Sequence, residues 1–242
     1  MRPGKAVVVG ASSGIGRAIA LRLIADGWTV AVAARRLDRL EELRAAAPER
    51  VTAMSLDITA PQAARQLGPL ADGMGGMDLY VHVSGYGKRN HALEPGIELQ
   101  TVETNADGFC RMVGAAFSYF ARHGGGHIAA VTSIAGTRGM GAAPSYSATK
   151  AFQCSYLEAL AQLARMRRLD IAFTDIRPGF VGTDFLAGCD FPMTMKTEPV
   201  ARAAVKAIYR KRHVAVIDWR WRVVTALWRL IPHRIWRRMK IG

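Results

Sequence analysis

The 242-residue chain is short of cysteine, of acidic residues and of long apolar runs. Its three cysteines, Cys110, Cys154 and Cys189, lie far apart with no Cys-x-x-Cys pair. That argues against a disulfide framework or a thiolate metal site and fits a reducing cytosol. No stretch approaches the roughly 18 apolar residues of a membrane-spanning helix. The first apolar run, Ala6–Val9, is too short for a secretory signal and leads into Gly and Ser. Acids number 19 against 33 Lys and Arg, giving a net charge of +14. The imbalance is local: from Lys206 onward eleven basic residues face one acid, Asp218, and residues 1–205 carry only +4. The chain therefore reads as a near-ordinary globular body, residues 1–218, followed by a basic tail, residues 219–242.

The body alternates strand and helix signals. Apolar runs predict strands at Lys5–Gly10, Thr29–Ala34, Val51–Leu56, Leu79–Val83, Gly126–Thr132, Ile171–Ile176 and His213–Ile217. Helical periodicity is expected over Gly14–Asp26, Leu37–Ala47, Gln62–Leu70, Thr101–Phe120, Ser145–Arg168 and Pro199–Arg210. Such alternation implies an α/β domain, a Rossmann-like doubly wound parallel sheet with helices on both faces.

The first strand runs into Gly10-Ala11-Ser12-Ser13-Gly14-Ile15-Gly16 and then a helix. Unpaired amides and the helix dipole at such a junction attract a phosphate, and the glycines permit close backbone approach. Alone, this is also what a plain glycine turn looks like. The second strand ends at Ala34-Arg35-Arg36. An acid here would suit the ribose hydroxyls of NAD. Ala34 removes it, and the Arg35 guanidinium, with Arg36 beside it, suits a 2′-phosphate. Asp57, followed by Ile58 after the third strand, is placed to accept from an adenine amine.

Tyr146-Ser147-Ala148-Thr149-Lys150 sets a phenol and an ammonium four residues apart, on one face of a helix. A lysine charge nearby favours the phenolate and is expected to pull the tyrosine pKa down toward the working range.

Taken in order, Gly10-Ala-Ser-Ser-Gly14-Ile-Gly16, Asp57, Asn105, Ser133, Tyr146-Ser-Ala-Thr-Lys150 and Pro178-Gly179-Phe-Val181-Gly-Thr183 resemble the short-chain dehydrogenase/reductases across roughly the first 215 residues. The resemblance implies an NADP(H)-preferring oxidoreductase in which Tyr146 exchanges a proton with the substrate oxygen. It implies that Lys150 tunes Tyr146 and binds the nicotinamide ribose, that Ser133 stabilises developing charge, and that Asn105 holds a water linked to Lys150. Pro178, Gly179, Val181 and Thr183 would meet the nicotinamide and diphosphate. The hydride would pass directly between nicotinamide and substrate carbon, so no metal is required. One segment departs from the family's Asn-Asn-Ala-Gly: here it reads His82-Val83-Ser84-Gly85. Ser84 is a small change and Gly85 keeps room for a ribose. His82 and Val83 replace two strand-tying amides, which puts cofactor affinity or local rigidity in doubt.

The loops beyond the strand ends hold Phe185, Leu186, Phe191, Met193 and Met195 and no cluster of charge. They suit either a closing lid over a hydrophobic ketone or secondary alcohol, or ordinary packing of a short helix. The tail carries four of the five tryptophans, at 219, 221, 228 and 236, amid arginines, with helical spacing at Val223, Val224, Leu227, Leu230 and Ile231. It resembles the tails of membrane-associated members of the family and suits the headgroup layer of an anionic membrane. An oligomer interface or a cover for the substrate pocket are the other readings of the tail; nucleic acid is the weaker use of its charge. The expected protein is a cytoplasmic homodimer or homotetramer, peripheral on the inner face of a membrane. The rival reading is a membrane-docked dinucleotide sensor or scaffold with little catalysis.

Overall fold

The computed structural model describes residues 3–183 and 193–240. Seven parallel strands form one sheet: β1 (Lys5–Val9), β2 (Thr29–Ala34), β3 (Val51–Ser55), β4 (Leu79–His82), β5 (Gly126–Val131), β6 (Ile171–Pro178) and β7 (Val214–Ile217). Their spatial order is β3-β2-β1-β4-β5-β6-β7, so the winding reverses between β1 and β4. A crevice opens at the carboxyl ends of the strands at such a reversal.

The strands read as continuous apolar runs because both faces are covered. In β1, Ala6 and Val8 enter one core, with Ile19 and Leu23 of α1 (Gly14–Ala25) and Val200 and Ala204 of α7 (Thr197–Tyr209). Val7 and Val9 enter the other core, with Leu67 of α3 (Ala63–Gly73), Phe109 and Met112 of α5 (Phe109–Arg122) and Leu157 of α6 (Pro144–Met166). The period of two along the strand sorts neighbours onto opposite faces. Helix α2 (Leu37–Ala46) flanks the edge at β3.

The predicted helix over Thr101–Phe120 is divided. α4 (Pro95–Val102) gives way to a π-helical turn at Glu103–Gly108 before α5 begins. Gly108 lies against Ile58, where a Cβ would come within 3.0 Å of the isoleucine side chain. The widened turn carries Asn105, which is fully buried.

The tail forms α8 (Trp219–Leu230) and α9 (His233–Trp236), separated by Pro232. Asp218 caps α8 by accepting from the Arg220 N–H at 3.0 Å. The tail lies against the body. Arg138 donates to the carbonyls of Arg229 and Ile231 at 2.8 and 2.6 Å, satisfying the open carboxyl end of α8. Its guanidinium also stands over the Trp236 ring, whose indole N–H donates to the Gly139 carbonyl at 2.8 Å. No helix among the described residues is long and apolar enough to cross a membrane.

Candidate active site

A cleft of about 700 Å³ lies at the winding reversal, and every residue expected on the cofactor side lines it. Its floor is the β1–α1 turn. Gly10 has φ +94° and lies so close to the Ser84 backbone that no side chain fits. Gly16 abuts the Gly10 carbonyl in the same way, and Gly14, at φ +53°, lies beneath Thr183. The first turn of α1 has no acid, so its positive end is uncompensated. The tight, amide-rich turn with space where side chains are missing fits a dinucleotide phosphate.

The two arginines after β2 take different places. Arg36 donates to the hydroxyls of Ser12 and Ser13 at 3.1 and 2.8 Å, so its guanidinium sits on the cradle itself. Arg35 instead faces Asp57. Burial raises the Asp57 carboxyl, but bonds from the Thr59 N–H and hydroxyl, at 3.0 and 2.8 Å, and the Arg35 charge hold it below the ordinary range.

On the other side of the cleft, α6 presents Tyr146 and Lys150, while Ser133 follows β5. Ser133 caps the short turn Ile134–Thr137 by accepting from Ala135 at 3.1 Å, and its side chain hydrogen-bonds Tyr146. The Lys150 ammonium is 5.7 Å from the centre of the Tyr146 ring. It donates to Gln153 Oε1 at 2.9 Å and to the Val131 carbonyl at 3.3 Å. Gly85 leaves space beside it: a Cβ there would lie 3.7 Å from the ammonium.

The expected lowering of the Tyr146 pKa does not occur. Burial pushes it up to about 12, against a smaller downward pull from Ser133. The lysine is drawn away toward Gln153 and Val131, and burial brings Lys150 itself down to about 8, opposed by Cys154 and the Asp175 carboxylate. In the protein alone, Tyr146 is thus a protonated phenol across the physiological range.

Asn105 stands behind this wall. Its side chain clasps Tyr86, donating to the Tyr86 carbonyl at 2.6 Å and accepting from its N–H at 2.8 Å. Its own carbonyl accepts from Gln153 Nε2 at 2.9 Å. Gln153 therefore joins Asn105 to Lys150 directly. Sequence reasoning missed Gln153, although a polar residue three positions after Lys150 on the same helix face was a usable signal. It also missed a buried cluster beneath Lys150. There Thr132 donates to Asp175, Asp175 accepts from Arg177 at 2.6 Å, and Cys154 contacts the Thr132 hydroxyl at 3.7 Å.

His82 is fully buried. Its Nδ1 lies 2.9 Å from the Tyr80 hydroxyl, and the ring stands edge-on to Phe109 at 4.9 Å. Among the described residues its Nε2 has no partner in good hydrogen-bonding geometry. Burial, reinforced by Lys150 and opposed only in part by the Ser84 backbone, lowers its pKa to about 3, so the ring is neutral. Phe185, Leu186 and Phe191, considered for a lid, lie outside the described residues. Met195 is buried and bridges Val181, which makes it part of the packing.

The family model for short chain dehydrogenase matches residues 4–190. The chain belongs to the short-chain dehydrogenase family. This short-chain dehydrogenase is 33% identical over 236 residues to an uncharacterized oxidoreductase of Myxococcus xanthus (strain DK1622), covering 94% of this chain and 92% of that one. It is 30% identical over 245 residues to an uncharacterized oxidoreductase of Mycobacterium tuberculosis (strain ATCC 25618 / H37Rv), covering 97% and 96%. Among solved structures, a short-chain dehydrogenase from Streptomyces avermitilis matches its fold with a TM-score of 0.81 at 23% identity, covering 93% of this chain and 92% of that one. An alcohol dehydrogenase from the archaeon Thermococcus sibiricus, complexed with 5-hydroxy-NADP, matches with a TM-score of 0.75 at 27% identity, over 88% and 94%. The short-chain dehydrogenase is accordingly an oxidoreductase that uses a nicotinamide dinucleotide.

Proposed function

We propose that the protein prefers NADP(H) and transfers a hydride between it and a hydrophobic ketone or secondary alcohol, with Tyr146 as the general acid/base. The observation that carries this reading is the convergence of Ser133, Tyr146 and Lys150 on the cleft whose far end is the glycine cradle. When bound, the nicotinamide supplies or accepts the hydride. The Gly10–Gly16 turn and Thr183 would hold its diphosphate, Lys150 its ribose, and Arg36 with Arg35 a 2′-phosphate. The missing acid at Ala34 supports that preference, and the Thermococcus relative was solved with an NADP derivative.

In the reducing direction Ser133 and the Tyr146 phenol both donate to the carbonyl oxygen and stabilise its growing charge. A phenol near pKa 12 holds its proton until that oxygen approaches an alkoxide, which is the stronger base. Tyr146 then delivers the proton, and the Ser133 hydroxyl, which pulls the Tyr146 pKa down against burial, supports the phenolate left behind. Gln153 and Asn105 fix the ammonium while this occurs. The substrate side of the cleft is apolar, with Met140, Ala142 and Phe180 among its walls, and supports a hydrophobic substrate.

The outward face of the tail supports peripheral docking on anionic lipid. Trp219, Val223, Leu227, Leu230 and Ile235 are exposed there, fringed by Arg222, Arg229, Arg234 and Arg238.

NADPH absorbance with a panel of ketones tests the catalytic reading. Long-chain or aromatic ketones should be reduced, and Tyr146→Phe should lower kcat by roughly 10²- to 10⁴-fold, the usual worth of a positioned acid. Turnover of small polar carbonyls alone, or an active Tyr146→Phe enzyme, would overturn it.

A further inference from the structure

The cleft carries more positive charge than a bound dinucleotide uses. Arg35, Arg36, Lys88, Arg89 and Lys150 line it, and among the described lining residues the one acid is Asp57, already held by Thr59 and faced by Arg35. Arg35 and Arg36 stand at the cradle end, and Lys150 beside Tyr146. Lys88 and Arg89 come from the loop that follows β4. Both line the cleft and both are exposed to solvent, so their charges are accessible to a ligand entering it.

That loop is clamped at both ends. At one end Asn105 holds the N–H and the carbonyl of Tyr86, and the Lys88 ammonium lies 5.8 Å from the centre of the Tyr86 ring. At the other end Asn90, only 4% exposed, accepts from the Glu94 N–H at 2.8 Å and donates to one carboxylate oxygen of Glu98 at 2.8 Å. The second oxygen of Glu98 accepts from the Ser145 N–H at 3.1 Å, in the first turn of α6 and next to Tyr146. The Asn90 N–H donates to the Ala142 carbonyl at 2.8 Å, which stitches the loop to the apolar wall of Met140 and Ala142. Two adjacent cations are thus mounted on the substrate side, on a frame shared with Tyr146. The backbone that carries them is ordered before any ligand arrives, which lowers the cost of association.

We propose that Lys88 and Arg89 form an anion subsite for the substrate. The preferred substrate is then a hydrophobic carbonyl compound that ends, away from the reacting carbon, in a carboxylate or a phosphate ester. The assignment rests on the reductase reading and narrows its substrate class. The anionic groups of the dinucleotide have partners elsewhere in the cleft, the diphosphate on the Gly10–Gly16 turn and a 2′-phosphate at Arg35 and Arg36. Charge of one sign set between apolar walls focuses the field and draws an anion in from solution. The walls take the hydrocarbon part of the substrate, and the cations set which end enters last.

The test uses a medium-chain keto acid, a keto phosphate ester of similar length and the neutral methyl ester of the acid. Their affinities are measured by calorimetry for the full-length protein with NADP⁺ bound, which fills the cradle and offers no hydride. At low salt the unaltered protein should bind at least one of the two anions roughly 3- to 30-fold more tightly than the methyl ester, the worth of two solvent-facing ion pairs. The tighter of the two names the anion. In the double variant Lys88→Gln, Arg89→Gln that preference should fall toward one while NADP⁺ affinity is retained. Binding of the methyl ester as tightly as both anions would overturn the subsite. So would a preference that persists in the variant, which would trace it to the overall charge, or a loss of NADP⁺ affinity as large as the loss of preference, which would assign the pair to the cofactor. Reduction of the methyl ester by NADPH in the unaltered protein reads the catalytic assignment separately, because that substrate carries no anion.

Discussion

His82 makes the stability of this protein sensitive to mild acid in a way that can be calculated. The ring is fully buried, and its pKa is about 3, against about 6.5 in an unfolded chain. Between those values the unfolded state binds a proton that the folded state does not, so stability falls as the pH drops. Nearly the full contribution is present above the unfolded value, and it is progressively lost down to about pH 3. From pH 7 to pH 5 the loss for this one group is about 2 kcal/mol. In a protein of this length that lowers Tm by roughly 4–8 °C. The comparison is with His82→Asn, which restores the residue typical of the family. Its absolute stability also reflects the lost contact with Tyr80, but that offset does not depend on pH over this range. His127, likewise lowered by burial to about 4, is common to both proteins and cancels from the difference. Urea denaturation at pH 7, 6 and 5 should show the two stability curves converging or crossing by about 2 kcal/mol as the pH falls. Parallel curves would mean that His82 takes up its proton inside the fold, and the assignment of a neutral, desolvated ring would be wrong.

The Lys150 ammonium should set the alkaline limit of catalysis. With its pKa held near 8 rather than 10.5, kcat/KM for reduction should decline as pH rises through about 8, and a plateau extending to pH 10 would contradict this. Arg36→Ala removes the guanidinium bonded to Ser12 and Ser13, and should weaken NADPH binding about tenfold while sparing NADH; equal losses for both cofactors would refute a role in phosphate selection. Sedimentation with vesicles containing acidic lipid should retain the whole protein at low salt and lose it on replacing Trp219, Val223 and Leu227 by serine; unchanged sedimentation would remove the docking face.

The parts legible in the sequence were those encoded over short distances. The Gly10–Gly16 turn needs only its own backbone and the start of α1, and Tyr146 and Lys150 share one helix face by spacing alone. Strands β1 and β2 announced themselves as runs that tolerate burial on both sides. The division of the helix around Asn105 was not legible, because one residue of extra winding leaves little mark on hydropathy and residues 103–108 hold only Ala106 as an apolar side chain. The destination of Arg36 was also hidden, since its partners lie 24 and 23 positions away. Gln153 reaches Asn105, and Thr132 reaches Asp175, across separate elements. In the tail, periodicity pointed to a helix with an apolar stripe at Val223, Leu227 and Leu230 but did not mark the side that packs on the body. Val223, Leu227 and Leu230 face outward, whereas the inward stripe is Trp221, Thr225 and Trp228, whose aromatic and hydroxyl character hydropathy does not rank as core.

Helix α8 is shared between two environments. Its inner stripe forms a wall of the catalytic cleft, and its outer stripe is open, with Arg138 holding its far end to the loop that follows Ser133. Two surfaces on one rigid rod are thermodynamically reciprocal. For any cleft ligand that also favours this seating of the rod, an outside partner that favours it raises the ligand's affinity by some factor, and the ligand raises the partner's affinity by the same factor. A contact that prefers the rod displaced would weaken both. The position of α8 is thus a single variable through which an event on the outer surface and the choice of substrate can each be read in terms of the other.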